Sequence, residues 1–161
     1  LIGGEEGRGF VQVAGGLELG RINIAARGAG MASGATKMSL AYAKDRKTFG
    51  KSIAEHQAIQ LKLAEMSTRA AAARLLVEQA ALKYDLGERC DLEAGQAKYF
   101  ASEAAVQNSL DGMRVFGGYS YSPEYEIERF YRDAPLLCIG EGTNEIQRII
   151  IAKQMVARSG G

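Results

Sequence analysis

The sequence predicts an all-α fold, an antiparallel up-down four-helix bundle with short extra helices, on three observations. Apolar residues recur three and four apart over long stretches, no segment alternates apolar and polar residues as a half-buried strand does, and glycines or serine caps punctuate the chain where the stretches end. Hydrophobic residues make up 47% of the 161 positions and charged residues 24%, the balance of a globular chain with a real core. The net charge is +1, and its 20 basic and 19 acidic residues interleave, which gives no electrostatic argument for nucleic acid or an anionic membrane. No apolar run is long enough for a membrane span, and no signal-peptide pattern opens the chain. Cys90 and Cys138 are too few and too far apart for a zinc knuckle or a disulfide framework; reduced thiols in a cytoplasmic or matrix-like compartment follow.

Residues 1 to about 16 are glycine-rich and read as the end of an incoming strand or a loop, and a start on Leu1 without Met reads as a cut inside a larger protein. From Leu17 to about Tyr42 the pattern is helical, with Leu17, Arg21, Ile24 and Gly28 on one face and Ile22, Ala25, Ala29 and Ala32 on the adjoining one; its small residues suit close packing. Gly28-Ala29-Gly30-Met31-Ala32-Ser33-Gly34 imitates a dinucleotide fingerprint, but the third glycine comes one place late and no strand precedes it. Ser52-Ile53-Ala54-Glu55 reads as a capping box opening a long helix, whose apolar stripe runs Ile59, Leu63, Met66, Ala70, Ala73, Val77, Ala80 and Tyr84 before a stop at Gly87. Asp91 caps a third helix that ends at Gly117-Gly118. Ser122-Pro123 starts a short helix that Asp133-Ala134-Pro135 terminates. The last helix runs from about Thr143 to Ala157 and is expected to bury Ile146, Ile149, Ile150 and Met155.

Before that last helix stands Gly140-Glu141-Gly142-Thr143, after the apolar run Leu136 to Ile139. Glycines on both sides of a carboxylate remove Cβ bulk, so a ligand can approach the main chain while Glu141 acts as a general base. The same residues also read as an exposed loop glutamate ahead of an ordinary threonine cap.

Several separated stretches decide between these readings. Arg46-Lys47-Thr48-Phe49-Gly50-Lys51, Gln57, Leu63-Ala64-Glu65-Met66, Phe116-Gly117-Gly118-Tyr119, Tyr131-Arg132-Asp133-Ala134 and Glu141 to Arg148 resemble, in order and spacing, the C-terminal helical domain of the acyl-CoA dehydrogenases. The resemblance covers nearly all of residues 1–161, with 1–16 as the exit from a β-domain that this chain lacks. It implies an FAD enzyme that oxidises an acyl-CoA thioester to the trans-2-enoyl-CoA and passes electrons to an electron-transfer flavoprotein. Glu141 stands where most of the family keeps the base that takes the α-proton, and the apolar residues before it should raise its pKa by desolvation. Gly142 lets the acyl chain pass. Another branch of the family keeps its base on the first helix, directly before an arginine; here that position is Gly20, before Arg21.

By the same resemblance, Glu18 and Arg21 lie near the CoA thioester arm, although at spacing three they also read as a solvated ion pair. Arg46, Thr48, Phe49 and Gln57 meet the FAD of a neighbouring subunit, Gly117 and Gly118 let the main chain approach the dinucleotide, and Thr143 with Glu145 holds its adenosine side. Arg114 departs from the family's usual Gln and is a candidate pyrophosphate contact, whereas His56 reads as a helix-surface residue. Cofactor contacts that cross between subunits imply a homo-oligomer, a dimer or tetramer. Two other readings compete: an acyl-CoA oxidase-like flavoenzyme, and a helical oligomerisation module without catalysis.

Overall fold

The computed structural model describes residues 3–160. Helix α1 spans Gly9–Asp45, α2 Gln57–Asp85, α3 Asp91–Phe116, α4 Ile127–Ile139 and α5 Asn144–Ser159. A small antiparallel hairpin of β1 (Lys47–Thr48) and β2 (Lys51–Ser52) lies between α1 and α2.

Helix α3 is the centre of the bundle. Its contacts with α1 run in parallel, Gly28 against Ala101 and Ala32 and Thr36 against Asn108, while those with α2 run antiparallel, Lys83 to Glu93 and Lys62 to Asp111. The small residues of α1 serve this crossing, since a Cβ on Gly28 would lie 2.7 Å from the Ala101 carbonyl oxygen. Ile22, Ala25, Ala29 and Ala32 pack there with Ala94, Ala97, Ala101 and Ala104, as the helical periodicity of α1 predicts. The fingerprint-like glycines are therefore mid-helix spacers.

Helices α4 and α5 both run antiparallel to α3, one after the other. Ile127 lies beside Gly112, Ala134 packs with Ala105, Cys138 meets Lys98, Asn144 meets Ser102, and Arg158 reaches Glu93. The fourth member of the bundle is thus one helical path broken at residues 140–143, and the break lies against α1 and the middle of α3.

Several boundaries differ from the sequence expectation. Helix begins at Gly9 instead of Leu17, so residues 9–16 are neither strand nor loop. The capping box forms as expected, with Ser52 N–H donating to Glu55 Oε1 at 3.1 Å, but it caps a 3-10 turn over Ile53–Glu55, and α2 follows after His56. Asp91 opens α3 without capping it: the N-cap position is Cys90, which makes no side-chain cap bond. Ser122-Pro123 lies in turns, α4 begins only at Ile127, and Pro135 sits inside it. The helix survives that proline because Ala134 and Leu137, 0% and 5% exposed, are packed on the bundle on both sides of it.

On α5 the expected buried face holds only in part, with Ile150 half-buried. Ile146, Ile149 and Met155 are about half exposed, whereas Asn144 and Gln147 are buried. The polar pair is buried because it ties this helix to the break, which an apolar periodicity cannot reveal.

Candidate active site

Gly140 closes α4 with an extended backbone, and the next two residues, Glu141 and Gly142, both adopt the left-handed conformation, with φ of 54° and 83°. For glutamate that conformation costs about 1–2 kcal/mol, so something must hold it. Gln147, fully buried one turn into α5, donates its side-chain amide to the carbonyls of Glu141 and Gly142, 3.2 Å each. Thr143 caps α5 by accepting from Ile146 N–H. A Cβ on Gly142 would lie 2.8 Å from Gln147 Nε2, so glycine is required there twice, by φ and by space.

The Glu141 side chain reaches across to α1. Its Oε2 and Cδ lie 2.5 and 2.9 Å from where a Cβ would stand on Gly20. The carboxylate therefore occupies room that exists because residue 20 has no side chain. It remains exposed within this chain, and Leu136 and Ile139 before it are 67% and 63% exposed. Among the described residues that apolar run therefore does not bury the carboxylate.

Arg21, next to Gly20, is 8% exposed and its Nε has no hydrogen-bond partner among the described residues. It forms no ion pair with Glu18 there, so the solvated-pair reading is not what the structure contains. Glu18 instead accepts from Cys90 Sγ at 3.6 Å, and burial followed by the Asp91 carboxylate pushes its pKa up.

Under the break lies a polar cluster that the sequence patterns did not single out. Lys98, Ser102 and Asn144 are buried; Asn144 donates to Ser102 Oγ at 3.0 Å and Glu103 Oε1 at 2.7 Å and accepts from Lys98 Nζ at 2.8 Å. A lysine and a serine among the alanines of α3, on the face with Ala94, Ala97 and Ala101, are the signal that could have found it.

A second site forms at the other end of the bundle. Tyr42, Arg46, Thr48, His56, Phe116, Gly117, Gly118 and Tyr119 line, among others, an open cleft of about 650 Å³. Its floor is aromatic, with Tyr42 stacked on Phe116 at 4.2 Å and the Arg46 guanidinium 5.5 Å over the Tyr119 ring. Among the described residues Arg46 pairs with no carboxylate. Gly117 has φ of 61°, and a Cβ on Gly117 or Gly118 would meet open space, so the main chain is bare towards the cleft. His56 accompanies these residues instead of lying on a helix surface, with Nε2 3.1 Å from Thr48 Oγ1. The hairpin turn holds Phe49 at φ 52° with its ring 97% exposed.

Gln57 and Phe49 lie near this cleft in sequence but do not line it. Arg114 does not line it either: it pairs at 3.2 Å with Asp111, a buried carboxylate that also draws Lys62 and Arg69. Thr143 and Glu145 stand with Glu141 at the broken helix. Between Gly20, beside Glu141, and Arg46, just past the end of α1, the helix rises about 40 Å. The expected cofactor residues therefore fall into two separate groups.

Comparison with known proteins gives a consistent result. The family model described as acyl-CoA dehydrogenase, C-terminal domain, matches residues 7–156. An acyl-CoA dehydrogenase of Bacillus subtilis is 49% identical over 153 residues, which cover 95% of this chain and 40% of that protein. A 3-(aryl)acrylate reductase of Clostridium sporogenes is 47% identical, with 95% and 41% covered. The solved structure of butyryl-CoA dehydrogenase from Megasphaera elsdenii superposes with a TM-score of 0.93 at 40% identity, covering 95% of this chain and 40% of that one. The chain thus spans about two-fifths of the length of the relatives it matches.

Proposed function

The chain belongs to the acyl-CoA dehydrogenase family by its C-terminal domain, and from that premise we propose that it forms the catalytic-base half of an FAD-dependent enzyme that oxidises an acyl-CoA thioester to the trans-2-enoyl-CoA. The observation that carries the proposal is the Glu141 carboxylate lying over Gly20. These are the two positions at which the family resemblance puts the base, and here they converge on one point, filled by one carboxylate and cleared by one glycine.

In this reading Glu141 takes the proton from the carbon next to the thioester carbonyl. Its backbone amide, held in an unusual conformation by the loop, donates to the thioester oxygen as negative charge develops there. Gly142 leaves room for the acyl chain, and Arg21, with its unpartnered buried Nε, and Glu18 border the thioester arm. The carboxylate is exposed in this domain, so the bound substrate and the remaining domains supply the water exclusion. FAD, when bound, supplies the electron acceptor.

The residues fit that cofactor. An uncompensated arginine, a threonine hydroxyl and bare main chain at Gly117-Gly118 surround a cleft with an aromatic floor, which suits a phosphate-bearing group with a planar ring. The separation of this cleft from Thr143 and Glu145 supports two cofactors per pair of chains. Arg46, Thr48, Gly117 and Gly118, with Phe49 and Gln57 beside them, serve a partner's FAD, and Thr143 and Glu145 serve the chain's own. A homodimer or tetramer follows. Arg114 is spent on Asp111 and has at most an indirect part.

A polypeptide of these residues alone should bind FAD weakly or not at all and be inactive. In the full enzyme electrons leave to an electron-transfer flavoprotein. The free thiols of Cys90 and Cys138 suit a reducing compartment, the bacterial cytoplasm or a mitochondrial matrix. No helix among the described residues is long and apolar enough to cross a membrane.

A second reading concerns direction. The resemblance to a 3-(aryl)acrylate reductase favours a physiological reaction that runs the other way, with protonated Glu141 delivering the proton to the α-carbon. Glu141→Gln in the full-length enzyme tests both readings. Flavin bleaching by acyl-CoA, and the reverse reaction with an enoyl substrate, should each fall by roughly 100- to 10,000-fold with an unchanged flavin spectrum. Wild-type rates in either direction would remove Glu141 from the chemistry.

A further inference from the structure

The broken helical path has to be held at a fixed width if Glu141 is to point anywhere in particular. Helix packing alone does not do this, because α4 ends and α5 begins with nothing continuous between them but residues 140–143. Lys98 spans the gap from α3. Its side chain is fully buried, and its ammonium donates to the Cys138 carbonyl at 3.1 Å and to Asn144 Oδ1 at 2.8 Å. Cys138 lies three residues before Glu141 and Asn144 three residues after it.

The Cys138 carbonyl is one of the last four of α4, which have no partner within their own helix, and a cation there meets the negative end of the helix dipole. Asn144 is the first residue of α5 and passes the tie on to Ser102 and Glu103. No carboxylate forms an ion pair with Lys98 among the described residues; Glu103 and Glu145 act on it only at a distance, and burial pulls its pKa down. A lysine here opposes the packing of an alanine-rich face, Ala94, Ala97 and Ala101 all being 0% exposed. The bundle would be more easily built with an apolar residue at 98, so what the ammonium adds is the connection between the two helix ends.

We propose that Lys98 is a positioning residue for Glu141: by joining the last turn of α4 to the first residue of α5, its ammonium sets where the carboxylate stands over Gly20. The proposal rests on the reading of Glu141 as the base.

The test uses the FAD-loaded full-length enzyme carrying Lys98→Met, which keeps the buried stem and removes the ammonium. The expected result is a kcat lowered about 10- to 100-fold, since a misplacement of about 1 Å is worth up to that much, with KM for acyl-CoA, flavin spectrum and FAD content unchanged. Amide hydrogen exchange should rise across residues 136–147 and stay unchanged in α2. A wild-type kcat overturns the proposal, and so does a fall in kcat and FAD content together with a raised KM, which marks a merely structural residue. If Lys98→Met does not fold, Asn144→Ser, which removes the acceptor at α5, decides by the same criteria. Glu141→Gln, measured alongside, separates the two claims. Wild-type proton abstraction by Glu141→Gln overturns the base assignment and this proposal with it, whereas an inactive Glu141→Gln beside a fully active Lys98→Met overturns the proposal alone.

Discussion

Gly20→Ala should separate stability from activity, because it touches the site from a helix that does not otherwise change. An alanine Cβ at residue 20 would stand 2.5 Å from Glu141 Oε2 and 2.9 Å from Cδ, whereas ordinary van der Waals contact begins at 3.4 Å. The atoms in the way are the end of a flexible side chain, so the fold yields cheaply by moving the carboxylate about 1 Å or more. In the interior of α1, alanine also gains roughly 0.5–1 kcal/mol over glycine through backbone entropy. A base displaced by about that distance loses on the order of 100-fold in rate. Stopped-flow flavin reduction by acyl-CoA, together with thermal unfolding of the same full-length preparation, reads both effects. The expected outcome is an equal or higher melting temperature with proton abstraction slowed by about 10- to 100-fold. A Gly20→Ala enzyme with wild-type reduction kinetics would show that the carboxylate does not work from the place it occupies over α1, and the geometric argument would fail.

Three further predictions concern the loop, the cleft and the helix ends. Gly142→Ala forces a side chain into φ 83° and against Gln147 Nε2, so it should lower stability by about 1–3 kcal/mol in chemical denaturation and reduce kcat as well. Arg46→Ala should weaken FAD retention about 10- to 100-fold, the worth of a hydrogen bond to a charged group, as measured by flavin release on dialysis, while Arg114→Ala should leave retention nearly unchanged. Glu93 is 6% exposed; the Arg158 guanidinium above all, and Lys83 with it, outweigh burial and hold its pKa down at about 2 against an ordinary 4.5. A depressed carboxyl contributes stability that is complete above about pH 4.5 and is lost as the pH falls towards 2, on the order of 3 kcal/mol in all, and Glu93→Gln should flatten that acid limb in urea titrations.

The bundle was legible wherever one face of a helix is apolar and its ends carry a cap. The stripe from Ile59 to Ala80, the stop at Gly87 and the Thr143 cap all stand where the sequence puts them, and the Ser52 box forms, one short turn ahead of the helix it is expected to open. Failures came where tertiary contacts override local chemistry. Pro135 reads as a terminator, yet Ala134 and Leu137 hold the helix through it. Ile146 and Ile149 on α5 read as core, yet Gln147 and Asn144 take the inward side, Gln147 as the donor to the strained pair Glu141-Gly142 and Asn144 as the partner of Lys98, Ser102 and Glu103. Glu141, Gly117 and Arg46 could be found from motifs, since loop glycines and charged residues are grouped in sequence. Lys98 shows in the sequence only as a lysine among alanines, and Gln147 not at all, because their roles depend on which carbonyls they meet in the fold, Cys138 across the bundle for one and the neighbouring loop for the other. The same is true of Arg114: from the resemblance it is a candidate pyrophosphate contact, while in the fold it pairs with Asp111.

The most direct test of the central claim is the distance from the Glu141 carboxylate to the α-carbon of a thioester analogue in a crystal structure of the full-length, FAD-loaded assembly. The account predicts about 3–3.5 Å, with the carboxylate still over Gly20 and Arg46 of a second copy at the far end of the cofactor. A Glu141 side chain turned to bulk solvent, with the thioester bound elsewhere, would contradict it.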